Sequence, residues 1–226
     1  MSYDVVPWET VRRTILTTWK QGEHVMVNGP TGVGKTTLIS AILPARRYVV
    51  MFVTKVHDKT ITKEFPDFEV IERWPPKFTQ EKVLLWPKPG KTMRETVAIQ
   101  KRVFQDAMNK IFLDRNWCVV FDEQHYICKE LGLEQENTMF QHQGRSSGLS
   151  VVNGAQRPKW VPLITMSGST HCFLWQNTLK DDLTRLSDIG GIDKRELEQE
   201  MLTLSKHEFI YINTRSGMSV RSQVER

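Results

Sequence analysis

The 226-residue sequence predicts a three-layer α/β fold with a mostly parallel central sheet and a C-terminal β-hairpin. Three observations point there. Apolar runs of strand character alternate with amphipathic stretches along the chain. Two of those runs, residues 48–53 and 118–121, are continuously apolar, the pattern of strands covered on both faces. A glycine-rich turn, residues 29–34, joins a short apolar strand to a helix. The composition, 39% hydrophobic and 25% charged, is ordinary for a globular protein. The length suits a single domain over 1–226, with an N-terminal helix at 8–20, a core at 23–213 and a terminal hairpin at 208–226.

Residues 8–19 read as an amphipathic helix because Val11, Ile15 and Trp19 recur at four-residue spacing, with Arg12, Arg13 and Lys20 off that stripe. Gly22 ends it. Residues 24–28 form a short buried strand; after the glycine turn, a helix carrying Leu38, Ile39, Ala41, Ile42 and Leu43 stops at Pro44. Residues 47–54 hold a β-branched and aromatic run, and 68–71 a shorter strand. Pro75, Pro76, Pro87 and Pro89, with Pro66 just upstream, interrupt regular structure through 73–91. Residues 92–115 are a long helical pattern, with Val97, Val103, Phe104, Ala107, Ile111 and Phe112 apolar. Strands are expected at 117–121, 149–155 and 170–175, and helices at 178–186 and 193–204. Residues 208–213 alternate into a strand, 215–217 signal a turn, and 218–224 return as the second hairpin arm.

Several classes are excluded. Trp and Phe spread along the chain argue against disorder. No apolar stretch approaches the ~20 residues of a membrane-spanning helix, and residues 1–4 lack the basic start of a signal peptide. Cys118, Cys128 and Cys172 are odd in number and form no C-x-x-C pair, which suits a reduced, cytoplasmic compartment. The six histidines fall in no metal-ligand spacing. A net charge of +5 permits a polyanionic partner without demonstrating one.

Gly29, Pro30, Thr31, Gly32, Val33, Gly34, Lys35 and Thr36 match G-x-x-x-x-G-K-[ST] in full. The glycines let successive N–H groups turn inward on a phosphate, and the helix that follows adds its N-terminal dipole. Lys35 supplies charge to the β- and γ-phosphates, the Thr36 hydroxyl suits Mg²⁺, and Thr37 is placed for the α-phosphate. Downstream, an apolar strand ends in Asp122 and Glu123. Asp122 is the expected metal-side carboxylate, and Glu123 the base that polarises an attacking water. Gln156 closes the strand at 149–155, where an amide can orient water and sense the γ-phosphate. No N-K-x-D signature for guanine follows, so ATP is preferred to GTP.

Taken with Arg145-Ser-Ser-Gly148, Gln156-Arg157-Pro158 and Asp188-Ile189-Gly190-Gly191, these motifs resemble the FtsK/HerA superfamily of P-loop ATPases over most of residues 25–213. The likeness is nearer to short ATPases of phages and mobile elements than to full-length chromosome translocases, since no anchoring segment, long linker or winged-helix tail is recognised. The resemblance implies a RecA-like core with Asp122 and Glu123 on the strand beside the cradle strand. It implies a hexameric ring with ATP at subunit interfaces, completed by an arginine of the neighbour. Arg145 and Arg185 are the candidates, with Arg157 a third option in cis. It further implies double-stranded DNA as partner, with a capsid or transfer-apparatus protein. Basic segments with interleaved aromatics offer candidate DNA contacts: 55–63, 77–91 beside Trp74 and Trp86, and Lys159-Trp160. Scattered lysine is more often simply a solvated face. The expected function is therefore a Mg²⁺-dependent, ATP-driven DNA packaging or translocation motor. The rivals are an ATPase powering virion assembly or protein secretion, and a nucleotide-dependent switch that does not hydrolyse.

Overall fold

The structure, a computed structural model, describes residues 3–77, 79–186, 189 and 193–224. In chain order it runs β1 (Asp4–Val5), α1 (Trp8–Thr18), β2 (His24–Asn28), α2 (Lys35–Ile42), β3 (Val49–Phe52), α3 (Ile61–Glu64), β4 (Glu69–Ile71), β5 (Lys82–Leu85), α4 (Met93–Asp114) and β6 (Cys118–Phe121). It continues with a π-helical turn (Tyr126–Glu130), α5 (Glu134–Gln143), β7 (Ser150–Ala155), α6 (Leu163–Gly168), β8 (Ser169–Trp175), α7 (Lys180–Leu186), α8 (Lys194–Thr203), β9 (Glu208–Asn213) and β10 (Met218–Gln223). The strands form one sheet in the order β1-β10-β9-β8-β2-β7-β6-β3-β5-β4. The seven from β8 to β4 are parallel; β9 and β10 continue the sheet as an antiparallel hairpin, and β1 pairs parallel to β10.

The strands alternate their side chains between two helical layers, as a pleated strand must. Val25 and Val27 of β2, with Met51 and Val120, meet Val11, Ile15, Leu38 and Ile39 of α1 and α2 on one face. On the other face Phe52, Phe121 and Val151 pack on Phe104, Ala107 and Ile111 of α4 and Phe140 of α5. Met26, Leu174 and Ile212 pack there on α6 to α8 through Met166, Leu186, Leu197 and Met201. β3 and β6 are buried along their whole length, as their unbroken apolar runs require, and β7 is buried throughout although it carries Ser150 and Asn153.

The fold adds elements that the sequence reading lacks. β5 has three apolar residues, Val83 to Leu85, after Lys82 in a proline-flanked stretch, and only its position between β3 and β4 makes it a strand. α5 buries Asn137 and Gln141 beside Phe140, so it carries no apolar stripe to announce it. β1, α3, α6 and the π-helical turn are too short for periodicity to register. One expectation is overturned. Asp122 and Glu123 do not sit on the strand beside the cradle strand, because β7 lies between β2 and β6, pairing with both. Gln156, at the end of β7, therefore stands between the cradle and the carboxylates.

Candidate nucleotide site

The site is built at the C-terminal ends of the parallel strands, the crevice side of an open α/β sheet. β2 delivers the chain into the turn at Gly29, where a Cβ would lie 2.7 Å from Cβ of Trp175. Only glycine permits this approach to the end of β8. Gly32 and Gly34 have φ of 80° and 108°, the left-handed region other residues avoid. No side chain caps α2, so its first N–H groups are left to face the cavity.

That cavity, about 410 Å³, is lined by Thr31, Gly32, Gly34, Lys35, Thr36 and Thr37 on the cradle side. Opposite are Asp122 and Glu123, with Gln156, Lys55, Thr60 and Glu64 completing the wall. Thus every cradle, carboxylate and amide residue singled out for nucleotide chemistry lines it, except Gly29, Pro30 and Val33, which shape the loop; the cis arginine option, Arg157, does not. Lys35 is buried, and its Nζ donates to the carbonyls of Gly29 (2.6 Å) and Pro30 (2.8 Å). Burial pulls its pKa down, while Glu123 and Asp122 push it back up. Burial raises the Asp122 pKa, opposed chiefly by Lys55 and also by Lys35. Gln156 Nε2 donates to Glu123 Oε1 at 2.6 Å, so the amide grips the expected base directly. Gly154, two residues earlier on β7, is required too: a Cβ there would meet the Asp122 carbonyl at 2.5 Å.

Thr36 and Asp122, the oxygens expected to hold a cation, both line this cavity. Among the described residues no group of three or more His, Cys, Asp or Glu could hold a metal. That sparse, all-oxygen set fits Mg²⁺, which takes one or two protein ligands and fills its octahedron with phosphate oxygens and water.

Sequence reasoning missed two contributors. Gln124 is fully buried, and its Nε2 lies within hydrogen-bonding reach of Asn153 Oδ1 (2.9 Å), Thr165 Oγ1 (2.8 Å) and Asn137 Oδ1 (3.3 Å). It thereby ties the residue after Glu123 to β7, α5 and α6. Its neighbours in sequence carried no hint, because the partners are 13 to 41 residues away. Lys55, placed by sequence among DNA contacts, lines this cavity instead.

The arginines lie elsewhere. Arg145 is exposed in the turn that precedes β7, at the opposite end of that strand from Gln156. Arg185 donates to the Val161 carbonyl at 3.2 Å. Arg157 pairs with the wholly buried Asp182 carboxylate at 3.0 Å and lies over the Trp160 ring. Trp74 is buried edge-on against Trp117 and offers no stacking surface. Trp86 donates from its indole to the Lys55 carbonyl, Lys88 pairs with Glu72, and Lys159 pairs with Asp181. Trp160, 42% exposed, remains accessible. Of the Asp188-to-Gly191 segment, residues 188, 190 and 191 lie outside the described residues.

Neither a protein-family model nor a curated protein sequence matches the chain. Solved structures do. B204, the DNA-packaging ATPase of Sulfolobus Turreted Icosahedral Virus, superposes with a TM-score of 0.65 over 92% of this chain and 100% of that one, at 14% identity. VirB4 of Thermoanaerobacter pseudethanolicus matches at 0.62 over 90% of this chain and 89% of its own, at 9% identity. The cytoplasmic domain of the Thermomonospora curvata Type VII Secretion ATPase EccC matches at 0.56 over 91% of this chain but 25% of its own, at 12% identity. The chain shares the backbone fold of these three ATPases. At these identities the likeness is one of backbone, and the chemistry rests on the cavity. Among the described residues, no helix is long and apolar enough to cross a membrane.

Proposed function

We propose that the protein is a Mg²⁺-dependent ATPase working as the motor of a genome-packaging or DNA-transfer assembly. The observation that carries this is the convergence of Lys35, Thr36, Asp122, Glu123 and Gln156 on one cavity. They do so in a fold that overlays the whole of a viral packaging ATPase. The relative from a second Sulfolobus virus was solved with AMPPCP and with ATP-gammaS, which supports a nucleoside triphosphate as substrate.

The cradle N–H groups and Lys35 hold the β- and γ-phosphates, where burial strengthens each charge contact. Thr36 and Asp122 would hold Mg²⁺, which supplies charge neutralisation between phosphate oxygens when bound. Glu123 takes the proton of a water as its oxygen attacks the γ-phosphorus, and ADP departs with the bridging oxygen. Gln156, already bonded to Glu123, positions that base and, from its place between cradle and carboxylates, reports whether a γ-phosphate is present. The sealing arginine comes from a neighbour in a hexameric ring. Arg145, exposed and at the far end of β7 from its own cavity, is better placed to serve a neighbour than Arg185, which is engaged with Val161. Double-stranded DNA is the cargo, and a capsid or transfer-apparatus protein the docking partner, in the cytoplasm of the host cell.

The likeness to EccC supports a second reading, an ATPase that powers protein secretion or virion assembly. Phosphate release with and without linear duplex DNA separates the two. Stimulation severalfold by DNA is expected; hydrolysis indifferent to DNA selects the second reading, and no hydrolysis with Mg²⁺ under either condition removes both.

A further inference from the structure

The cavity contains two cations, and the P-loop motif accounts for only one. Lys35 belongs to the cradle; Lys55 follows β3, the strand on the far side of β6 from β7. Its placement is built rather than incidental. The Trp86 indole holds the Lys55 carbonyl at 2.9 Å. Its ammonium sits 3.5 Å from Asp58 Oδ2, a long and partly solvated pair. Asp58 is itself immobilised, because its other oxygen accepts from the Thr60 N–H (2.9 Å), the Thr60 hydroxyl (2.7 Å) and the Ile61 N–H (3.1 Å). The lysine stem is thus anchored at its base and only loosely tethered at its tip. A second hollow of about 330 Å³, walled by His125, Tyr126 and Trp160, opens beside the first, and Lys55, Glu123 and Gln156 line both. Those three residues form the seam between the hollows, where the attacking water and the γ-phosphoryl group must meet if Glu123 is the base.

We propose that Lys55 is a catalytic residue supplied in cis, its ammonium contacting the γ-phosphoryl oxygens from the carboxylate side of the cavity while Lys35 contacts them from the cradle side. The inference rests on the ATPase reading above. In the reaction the water oxygen bonds to the γ-phosphorus, the bond to the β,γ-bridging oxygen breaks, and the water proton passes to Glu123. Lys55 makes and breaks no covalent bond. It stabilises negative charge gathering on the transferring group, a contribution realised in the transition state rather than in binding.

Two measurements on the full chain test this. An acyl-phosphate derivative of ATP acylates lysine amines at the phosphate end, forming an amide and releasing ATP. Peptide mass spectrometry should find Lys35 and Lys55 both modified, and both protected by excess ATP. In steady state, K55A and K55Q should lower kcat about 100-fold with AMPPCP affinity changed less than about threefold, whereas K55R keeps roughly a tenth or more of the parent rate. D58N should stay within about threefold of the parent. Label on Lys35 but not Lys55, label on Lys55 that duplex DNA rather than ATP suppresses, a K55A kcat near the parent value, or a D58N loss equal to that of K55A would each overturn the proposal. Label on neither lysine overturns the nucleotide site itself, and with it this inference.

Discussion

Glu123 and Asp122 are adjacent in sequence but differ in what surrounds them. Glu123 is held by the Gln156 amide, and Glu123→Gln keeps an acceptor for that bond while abolishing the base. Phosphate release should fall about 10²–10⁴-fold with ATP still bound; turnover near the parent rate would remove Glu123 from the mechanism. Lys35→Ala should instead lose nucleotide binding, since its Nζ is already confined at the mouth of the cradle. Asp122 tells a different story, because burial raises its pKa and so penalises its ionised form in the folded state. For a carboxylate shifted this way, folding is favoured below its unfolded pKa and disfavoured as pH rises through the folded one. Asp122→Asn therefore removes a cost at neutral pH. Its Tm should rise, by about 2–4 °C for each 1 kcal/mol of that cost removed in a domain of this size, while hydrolysis is lost. A lower Tm in calorimetry would contradict the assignment of burial as the dominant influence. The cradle, Asp122, Glu123 and Gln156 were legible because each follows an apolar strand in a short local pattern. Gln124 and Lys55 were not, since a glutamine with partners 13 to 41 residues away and a lysine on a loop look like any others until the strands are ordered.

Among the elements, β7 joins the two halves of the site, and the stability of that arrangement has a pH signature. His24, at the start of β2, accepts the Val151 N–H of β7 through Nδ1 and faces the Gln141 carbonyl of α5 through Nε2. Only the neutral ring with its proton on Nε2 satisfies both. Burial lowers its pKa to about 4. His171, buried on β8, is lowered in the same direction, also by burial, although Glu23 opposes it. The unfolded chain therefore binds protons that the folded chain refuses, so stability is whole above pH ~6.5 and declines as pH falls toward 4. His24 alone contributes of order 3 kcal/mol to that decline. A thermal-unfolding series from pH 7.5 to 4.5 should show a steady fall in Tm beginning near pH 6.5; a flat profile down to pH 4.5 would mean that these rings are protonated in the native state. The long helix α4 and the strands β3 and β6 were readable because a sustained period or an unbroken apolar run survives without its neighbours. α5 was not, because it buries amides against Asn153 and Gln124 rather than leucines against a sheet.

For the whole molecule, the cavity opens at one end of the sheet while Arg145 sits at the other. Among the described residues, none lining the cavity is an arginine, and the proposed ring would supply one. Light scattering with ATP and Mg²⁺ should give a mass several times the 26.3 kDa of one chain, and Arg145→Ala should lower kcat without lowering that mass. A monomer fully active at every concentration would overturn the ring. The sequence alone determined the candidate site's residues and the fold class: a phosphate-loop motif and a strand-end acidic pair are written in consecutive residues, and alternating strand and helix patterns leave few ways to layer a chain. Only the tertiary structure decided the strand order, and with it which residues share the cavity. The adjacency of β7 to both β2 and β6, the seating of Lys55 opposite Lys35 and the anchoring of Gln124 all come from pairings between distant segments. Local periodicity carries no information about such pairings, because a strand's own residues specify that it is buried and not which strand lies beside it.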